Sequence, residues 1–356
     1  MKLGFFIMPI HPLDKDWRQS LREDREAFIL ADELGFTEAY CGEHTTDQAE
    51  NITSCAMFLS TLVGDVKTMR LGTGTINVPN THPAATAANI AMLDHLLDGR
   101  FNFGISPGGL PSDAEVFGNL DNDRNAMFLE GVEAVLKIWA SDAPYEIEGK
   151  FWNVTTKRTL MAEIGQGIMP KPLQQPHPPI ITTAVSPFSK SLKEAASRGW
   201  DPISANFLLP KWVKTHWTSY VEGCANGNRE ALADNWRVAR SIFVADDLET
   251  ARAYALGPNS PYRYYFSQLL TKMKAANRAV IFKSDPDMPD DELTVDDVLE
   301  TCVTWGTPDK VVDELNAFRE EVGDFGTLLY AGKDWADPEL GRRSMKLLAE
   351  QVQPHL

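Results

Sequence analysis

The chain of 356 residues carries a formal net charge of −16, and 43% of its residues are hydrophobic. This acidic excess argues against nucleic acid or an anionic membrane surface as a partner. The four cysteines show no CxxC pairing, which is typical of a reducing compartment, and no apolar run suits a signal peptide or a membrane span. Composition therefore predicts a globular, cytoplasmic protein with enough apolar residues for a large core.

Apolar strands and amphipathic helices alternate from the first residues onward. The pattern predicts strands at 2–8, 36–41, 70–76 and 100–106, and helices at 17–34, 52–62, 83–97 and 122–139. The third helix is the clearest, because Pro83 suits a first turn and Asp98-Gly99 suits a C-cap. Four successive βα units favour a parallel sheet.

This alternation is interrupted twice in the second half of the chain. Residues 143–179 are rich in Pro and Gly, and we interpret them as a functional insertion with a small hairpin around 148–150. Strands follow at 180–184, 201–207, 238–245 and 326–330, and a second insertion at 257–299 combines aromatic residues with an acidic linker. Eight strands, each followed by a helix, favour a (β/α)8 TIM barrel over a doubly wound sheet, in one domain spanning 1–356.

Catalytic candidates are expected at the carboxyl ends of the barrel strands. His44 follows the second strand, and its imidazole titrates near neutral pH, so it is the leading candidate for proton transfer. The alternative is a histidine that only hydrogen-bonds a loop. Glu43 is interpreted as a structural support of that loop. No HxH, HExxH or Cys/His cluster occurs in the sequence, so we do not predict a metal site.

A phosphate site is predicted after the fifth strand, where Ser186, Ser189 and Ser191 precede a helix. A plain serine N-cap is the alternative. Arg124, at the start of an earlier helix, adds a cation, and small residues at the ends of the third and fourth strands leave room for a flat ligand. These features suggest a flat phosphorylated cofactor such as flavin mononucleotide (FMN). The predicted cofactor site comprises Gly74, Thr75, Ser106, Arg124, Ala184, Val185, Ser186 and Ser189.

Several aromatic residues near the predicted strand ends are candidates for the lining of an apolar substrate pocket. Such residues are as often part of the core, which is the alternative for each of them. The candidates are Phe6, Trp152, Phe207, Tyr265 and Trp335.

The block LGTGT…THPAATAANIAMLDHLLDGRFNFGI, the Glu-His pair after the second strand, the Ser-rich loop and GTPDKVVDEL resemble the bacterial-luciferase-like family of flavin-dependent monooxygenases. The resemblance extends over essentially the whole chain. GEHTTDQAENI, EGKFW and FGTLLYAGKDWADP are similar to the diketocamphane (type II Baeyer–Villiger) monooxygenases, and limonene monooxygenases are a neighbouring group.

The resemblance implies a TIM barrel that binds reduced FMN, supplied by a separate NAD(P)H:flavin reductase. Such enzymes use O2 through a C4a-peroxyflavin, here to oxygenate a small hydrophobic substrate such as a cyclic ketone, terpenoid or aldehyde. His44 matches the family's catalytic histidine, and Gly74-Thr75 matches a non-proline cis peptide beneath the flavin. Arg124, Ser186 and Ser189 match phosphate ligands. The family also implies a homodimer, formed by apolar helices such as that at 51–62.

Two departures from the family pattern affect the expected chemistry. Ser106 replaces the reactive cysteine of the luciferases, and Pro107 replaces a phosphate-binding arginine, so light emission from aldehydes is not expected. Two alternatives stay open at this point. One is a deazaflavin-dependent hydride-transfer enzyme on the same barrel, and the other is a non-catalytic flavin-binding subunit, against which the presence of His44 argues.

Overall fold

Eight parallel strands close into a barrel. The computed structural model describes residues 1–8 and 10–356. The strands are β1 (Lys2–Ile7), β2 (Glu38–Cys41), β3 (Arg70–Thr73), β4 (Ile76–Asn77), β5 (Phe101–Ser106), β6 (Glu146–Glu148), β7 (Asn153–Thr155), β8 (Ile180–Ala184), β9 (Asp201–Ser204), β10 (Arg237–Val244), β11 (Val303–Gly306) and β12 (Thr327–Gly332). The barrel runs β1–β2–β3–β5–β8–β9–β10–β12, and the parallel pairing of β12 with β1 closes it. The predicted TIM barrel is confirmed.

Helices surround the barrel and begin at capping residues. They are α1 (Trp17–Glu33), α2 (Cys55–Ser60), α3 (Pro83–Leu96), α4 (Pro111–Val116), α5 (Arg124–Ala140), α6 (Lys190–Ser197), α7 (Pro210–Asn226), α8 (Leu248–Leu256), α9 (Pro261–Ala275), α10 (Val295–Cys302), α11 (Pro308–Val322) and α12 (Pro338–Leu347). Asp16, Ser54 and Asp247 accept backbone hydrogen bonds at the starts of α1, α2 and α8. Within the described residues, we find no helix that combines the length and the apolar character needed to cross a membrane.

The structure corrects the predicted elements at four places. The predicted third strand divides into β3 and β4 at the Gly74–Thr75 peptide, which is cis as the resemblance implied. The helix predicted at 122–139 is present as α5, and the short helix α4 before it was not predicted. The second insertion is largely helical, because Ser260 caps α9 and its aromatic residues bury one face of that helix. The unpredicted strand β11 pairs with the second half of β10, whereas the hairpin predicted in the first insertion is present as β6 and β7.

The barrel interior is filled by side chains from alternate positions of its strands. One cluster of buried side chains there consists of Phe6, Tyr40, Ile181, Ile203, Ala239 and Leu329. The Tyr40 ring fits because Gly72 stands on the neighbouring strand, where a Cβ atom would lie 2.5 Å from that ring. At the amino ends of the strands, Glu38 accepts hydrogen bonds from Tyr40 at 2.7 Å and from Arg237 at 2.8 Å. This buried network closes one end of the barrel, so the carboxyl ends form the mouth.

Candidate active site

His44 lies in the loop after β2 and is held between two carboxylates. Its Nδ1 atom is 2.9 Å from Oδ2 of Asp113, and its Nε2 atom is 3.4 Å from Oε2 of Glu50. The other oxygen of Asp113 accepts hydrogen bonds from the backbone amides of Thr45 at 3.1 Å and Thr46 at 2.9 Å. Asp113 therefore fixes both the loop and the imidazole of His44.

Glu50 is buried and forms an ion pair with a lysine that comes from the second insertion. The Nζ atom of Lys272, on α9, lies 2.6 Å from Oε1 of Glu50 and 2.6 Å from Oδ2 of Asp47. Among residues 1–8 and 10–356, the Oε2 atom of Glu50, which faces His44, has no hydrogen-bond partner. Lys272 thus neutralises the carboxylate and leaves one of its oxygens available beside the imidazole.

These contacts shift the pKa values of His44 and Asp113. Burial lowers the pKa of His44, but the hydrogen bond to Asp113 and the negative charges of Glu50 and Asp113 outweigh burial and leave that pKa above its usual value. Burial raises the pKa of Asp113, but its hydrogen bonds with His44 and Thr46 leave the net pKa below the usual value. A protonated imidazole beside an ionised carboxylate is the arrangement that both shifts favour.

Glu43 supports the loop from the other side. It accepts hydrogen bonds from the backbone amides of Cys55 at 2.9 Å and Asn77 at 3.0 Å. Asn77 in turn accepts a hydrogen bond from Ser106 at 3.0 Å, and Ser106 accepts one from Thr75 at 2.7 Å. The structural interpretation of Glu43 agrees with these contacts, and the network places Thr75 and Ser106 together at the mouth.

The Ser-rich loop after β8 has the features of an anion site. Ser189 is the N-cap of α6 and accepts the backbone N–H of Leu192 at 3.1 Å, so the capping alternative applies to this serine. Ser186 accepts a hydrogen bond at 2.9 Å from Arg278, a residue that the sequence analysis did not select. Arg124 begins α5, and its side chain makes no hydrogen bond to any other described residue. Ala184 ends β8, and the half-buried Val185 leads into the loop.

The five aromatic candidates separate into three groups. Phe6 lies in the barrel interior beneath Gly74, and Tyr265 reaches the mouth from α9. Phe207 packs against Phe282 of the second insertion, with ring centroids 6.4 Å apart. Trp152 and Trp335 do not join the others: the first packs on Gly131 of α5 and the second on Gly341 of α12. Trp152 lies between β6 and β7, in the hairpin of the first insertion, and Trp335 lies three residues after the end of β12.

A buried charge cluster holds the loop after β12 against the loop after β1. His11 bridges Asp24 at 3.1 Å and Asp334 at 2.5 Å, while Lys15 reaches Glu23 at 2.7 Å and Asp334 at 2.6 Å. Two surface cavities, of about 600 and 390 Å3, border this region on the outside of the barrel. His44 lines neither of them.

Comparison with known proteins assigns the family. Residues 1–324 match the model of a protein family that is described as luciferase-like monooxygenase. The chain is 29% identical to the 4-hydroxyprotoasukamycin monooxygenase of Streptomyces nodosus subsp. asukaensis, over 99% of this chain and 92% of that protein. It is 26% identical to the limonene 1,2-monooxygenase of Rhodococcus erythropolis, over 99% of this chain and 86% of that protein.

A solved structure extends the comparison to three dimensions. It is the oxygenating constituent of 3,6-diketocamphane monooxygenase from Pseudomonas putida, a type II Baeyer–Villiger monooxygenase in complex with FMN. The TM-score is 0.89 at 25% identity, covering 99% of this chain and 98% of that chain. The resemblance noted in the sequence is confirmed. The chain belongs to the luciferase-like monooxygenase family and is a flavin-dependent monooxygenase.

Proposed function

We propose that the protein uses reduced FMN and O2 to oxygenate a small hydrophobic substrate such as a cyclic ketone, terpenoid or aldehyde. The observation that carries this proposal is the His44–Asp113 pair at the barrel mouth, beside β3, which ends directly before Gly74 and Thr75. The FMN in the related solved structure supports the choice of cofactor. Reduced flavin, when bound, supplies the electrons that activate O2.

The anion site after β8 fits the phosphate of FMN. The first turn of α6 directs backbone N–H groups outward from its start, and such a helix terminus favours a phosphate. Ser186 adds a hydroxyl, and Arg278 adds a guanidinium whose planar donors match phosphate oxygens. Arg124 begins α5 at the same edge of the barrel and supplies a second cation. We propose that these groups hold the phosphate, while Gly74, Thr75 and Ser106 border the flat ring.

His44 is suited to hold and move one proton at Nε2. With Nδ1 engaged by Asp113, Nε2 is the ring nitrogen left for a ligand. Burial lowers the pKa of His44, but Asp113 and Glu50 outweigh burial and raise it, which favours the protonated ring. The Nε2 proton is available to a reacting oxygen, because Oε2 of Glu50 lies 3.4 Å from Nε2 and makes no hydrogen bond with it. Asp113 acts as a positioning residue, because it sets the tautomer and the direction of the ring.

The apolar part of the proposed site has support from two residues. Phe6 forms its floor, and Tyr265 from the second insertion covers it, which excludes water from the reacting groups. The related solved structure is described as an oxygenating constituent, and this supports a separate reductase for the present protein as well. The homodimer and the cytoplasmic location stay predictions.

Anaerobic titration of the protein with reduced FMN tests the cofactor. We expect binding by the wild type and binding roughly tenfold weaker or worse in the double variant Ser186→Ala/Arg124→Ala, because a charge-assisted hydrogen bond is lost. Arg319→Ala is the control, since this partly exposed arginine lies on the far helix α11 and pairs with Asp324, which follows that helix. Tight binding of the deazaflavin F420, without affinity for reduced FMN, would instead establish the hydride-transfer alternative.

The catalytic role of His44 requires a separate variant. His44→Ala should bind reduced FMN nearly as the wild type does, while product formation falls by roughly two orders of magnitude, the usual range for a lost general acid or base. Single-turnover product yield with a panel of cyclic ketones, terpenes and aldehydes is the measurement. Unchanged turnover would remove His44 from the mechanism. Flavin binding without turnover on any substrate would favour the non-catalytic alternative.

A further inference from the structure

Lys333 is a buried amine that the chemistry above does not use. It follows β12, two residues after Ala331, which pairs with the inward-facing Phe6 of β1. Lys333 is 7% exposed, and its Nζ atom donates hydrogen bonds to the carbonyl oxygens of Ala331 at 3.1 Å and Gly332 at 3.3 Å. The same atom lies 4.0 Å from the centroid of the Tyr265 ring. The amine therefore sits beneath α9, at the mouth of the barrel.

No carboxylate of the described residues lies within ion-pair distance of Lys333. Its neighbour Asp334 is already engaged by His11 and Lys15. A lysine carries three N–H donors, and the two backbone carbonyls account for two of them. Burial lowers the pKa of Lys333 to about 7, which is the expected result for an amine without a negative partner. The third donor has no oxygen acceptor among the described residues, and the group beside it is the Tyr265 ring, whose centroid is 4.0 Å from Nζ.

Lys333 and His44 stand on opposite sides of β1. The strand order β12–β1–β2 separates the two loops by two strand spacings, or roughly 10 Å. Helix α9 gives the same span: Tyr265 covers Lys333, and Lys272 binds Glu50 beside His44, seven residues or roughly 10 Å further along the helix. A ligand between the two loops is within reach of both groups.

The anion loop after β8 is placed four strands from β1 in the closed order, on the opposite side of the barrel. A cofactor phosphate held there leaves the β12 side to the substrate. That side is aromatic, and its buried carboxylates Glu50 and Asp334 are already paired with Lys272 and Lys15. The chemistry that suits a lone amine donor in this setting is a neutral oxygen acceptor.

We infer that Lys333 is a specificity-determining residue, which donates a hydrogen bond to the carbonyl oxygen of a small hydrophobic ketone held between β12 and β2. The inference rests on the proposed function, since it names the substrate class for the same site. It sets ketones apart from terpene hydrocarbons, which carry no acceptor for this donor. No bond is made or broken by Lys333 in this role.

Binding to the flavin-free protein provides the test. We use 2-decalone and decalin, a ketone and a hydrocarbon of the same shape, and measure their bound fractions by headspace gas chromatography. The wild type should prefer the ketone by roughly tenfold or more, because a buried hydrogen bond from a charged donor is strong. Lys333→Met should abolish the preference. In the control Lys150→Met, which removes an exposed lysine placed over the Phe151 ring, the preference should persist.

A stability measurement separates this role from a structural one. The folded-state pKa of Lys333, about 7, lies below its ordinary value of 10.5, so the unfolded chain binds the proton more tightly and the buried amine lowers stability at neutral pH. Lys333→Met should therefore raise the melting temperature at pH 7. A lower melting temperature would assign Lys333 to the core instead.

The outcomes distinguish this inference from the proposed function. Equal binding of ketone and hydrocarbon by the wild type, a preference that survives Lys333→Met, or tighter binding of decalin-2-carboxylate than of the ketone would each overturn the inference. If reduced FMN binds and one of these results is found, the inference alone fails. If reduced FMN does not bind but the ketone preference depends on Lys333, the proposed function fails and the binding role stands.

Discussion

Replacing Asp113 by Asn removes the charge that holds His44 while preserving the shape of the side chain. The amide oxygen of Asn still accepts from the backbone of Thr45 and Thr46, so the loop should keep its conformation. A hydrogen bond to a charged partner contributes about 1.5–3 kcal/mol, and the side chains of His44 and Asp113 are only 13% and 4% exposed. The imidazolium should therefore become roughly 10- to 100-fold less favoured.

Nuclear magnetic resonance of histidine-labelled, flavin-free protein measures this effect directly. The pKa of His44 should fall in Asp113→Asn, and the alkaline limb of the pH profile for product formation, where the protonated His44 is lost, should move in the same direction. The resonances of the other histidines are internal references. Asp247→Asn is a matched control, because this carboxylate caps α8 and its charge is remote from any histidine contact.

The same variant has a defined effect on stability. The raised pKa of His44 means that the pair stabilises the fold at low pH and that this contribution is lost as pH rises through the folded-state pKa. The lowered pKa of Asp113 sets the lower pH limit of this stabilisation, because the stabilisation by the ionised carboxylate is lost as pH falls through that pKa. Asp113→Asn should thus reduce stability most between these limits. A His44 pKa equal to the wild-type value would refute the assigned role of Asp113.

Two further predictions concern the barrel and its buried charges. Gly104→Ala should lower the free energy of unfolding by about 3 kcal/mol or more, because the added Cβ would lie 1.7 Å from the carbonyl oxygen of Thr73. In urea titrations Gly64→Ala, which meets no atom within 4 Å, should be nearly neutral, and equal losses would contradict the packing argument. Burial lowers the pKa of His11, but Asp24 and Asp334 outweigh burial and raise this pKa from 6.5 to about 9. The protonated His11 therefore stabilises the fold fully below pH 6.5, and this stabilisation is lost as pH rises through 9. Between these values the wild type should lose stability relative to His11→Gln, and parallel pH curves would show that the two carboxylates do not act through His11.

The sequence alone determined the order of the barrel strands and most of the surrounding helices. Buried parallel strands are continuous apolar runs, so β8 was predicted with the boundaries that the structure has, Ile180–Ala184. Pro83 marked the start of α3, and the helix predicted at 17–34 is present as α1, Trp17–Glu33. The aromatic spacing in α9 carried a helical signal as well, but the acidic linker that follows obscured it. Local patterns sufficed because the regular backbone of these elements and their buried apolar faces both follow from their own stretches of sequence.

Only the tertiary structure decided what the functional side chains meet. His44 was selected from the sequence, but its partner Asp113 lies 69 residues away on a short helix that the pattern did not reveal. Lys272 is 222 residues from the Glu50 that it neutralises, and no sequence motif singled out Lys333 in YAGKDW. Trp335, two residues further on, packs outside the barrel instead of lining the mouth. Periodicity indicates which residues are buried, whereas pKa values and specificity depend on the distant groups that the closed barrel brings to each of them.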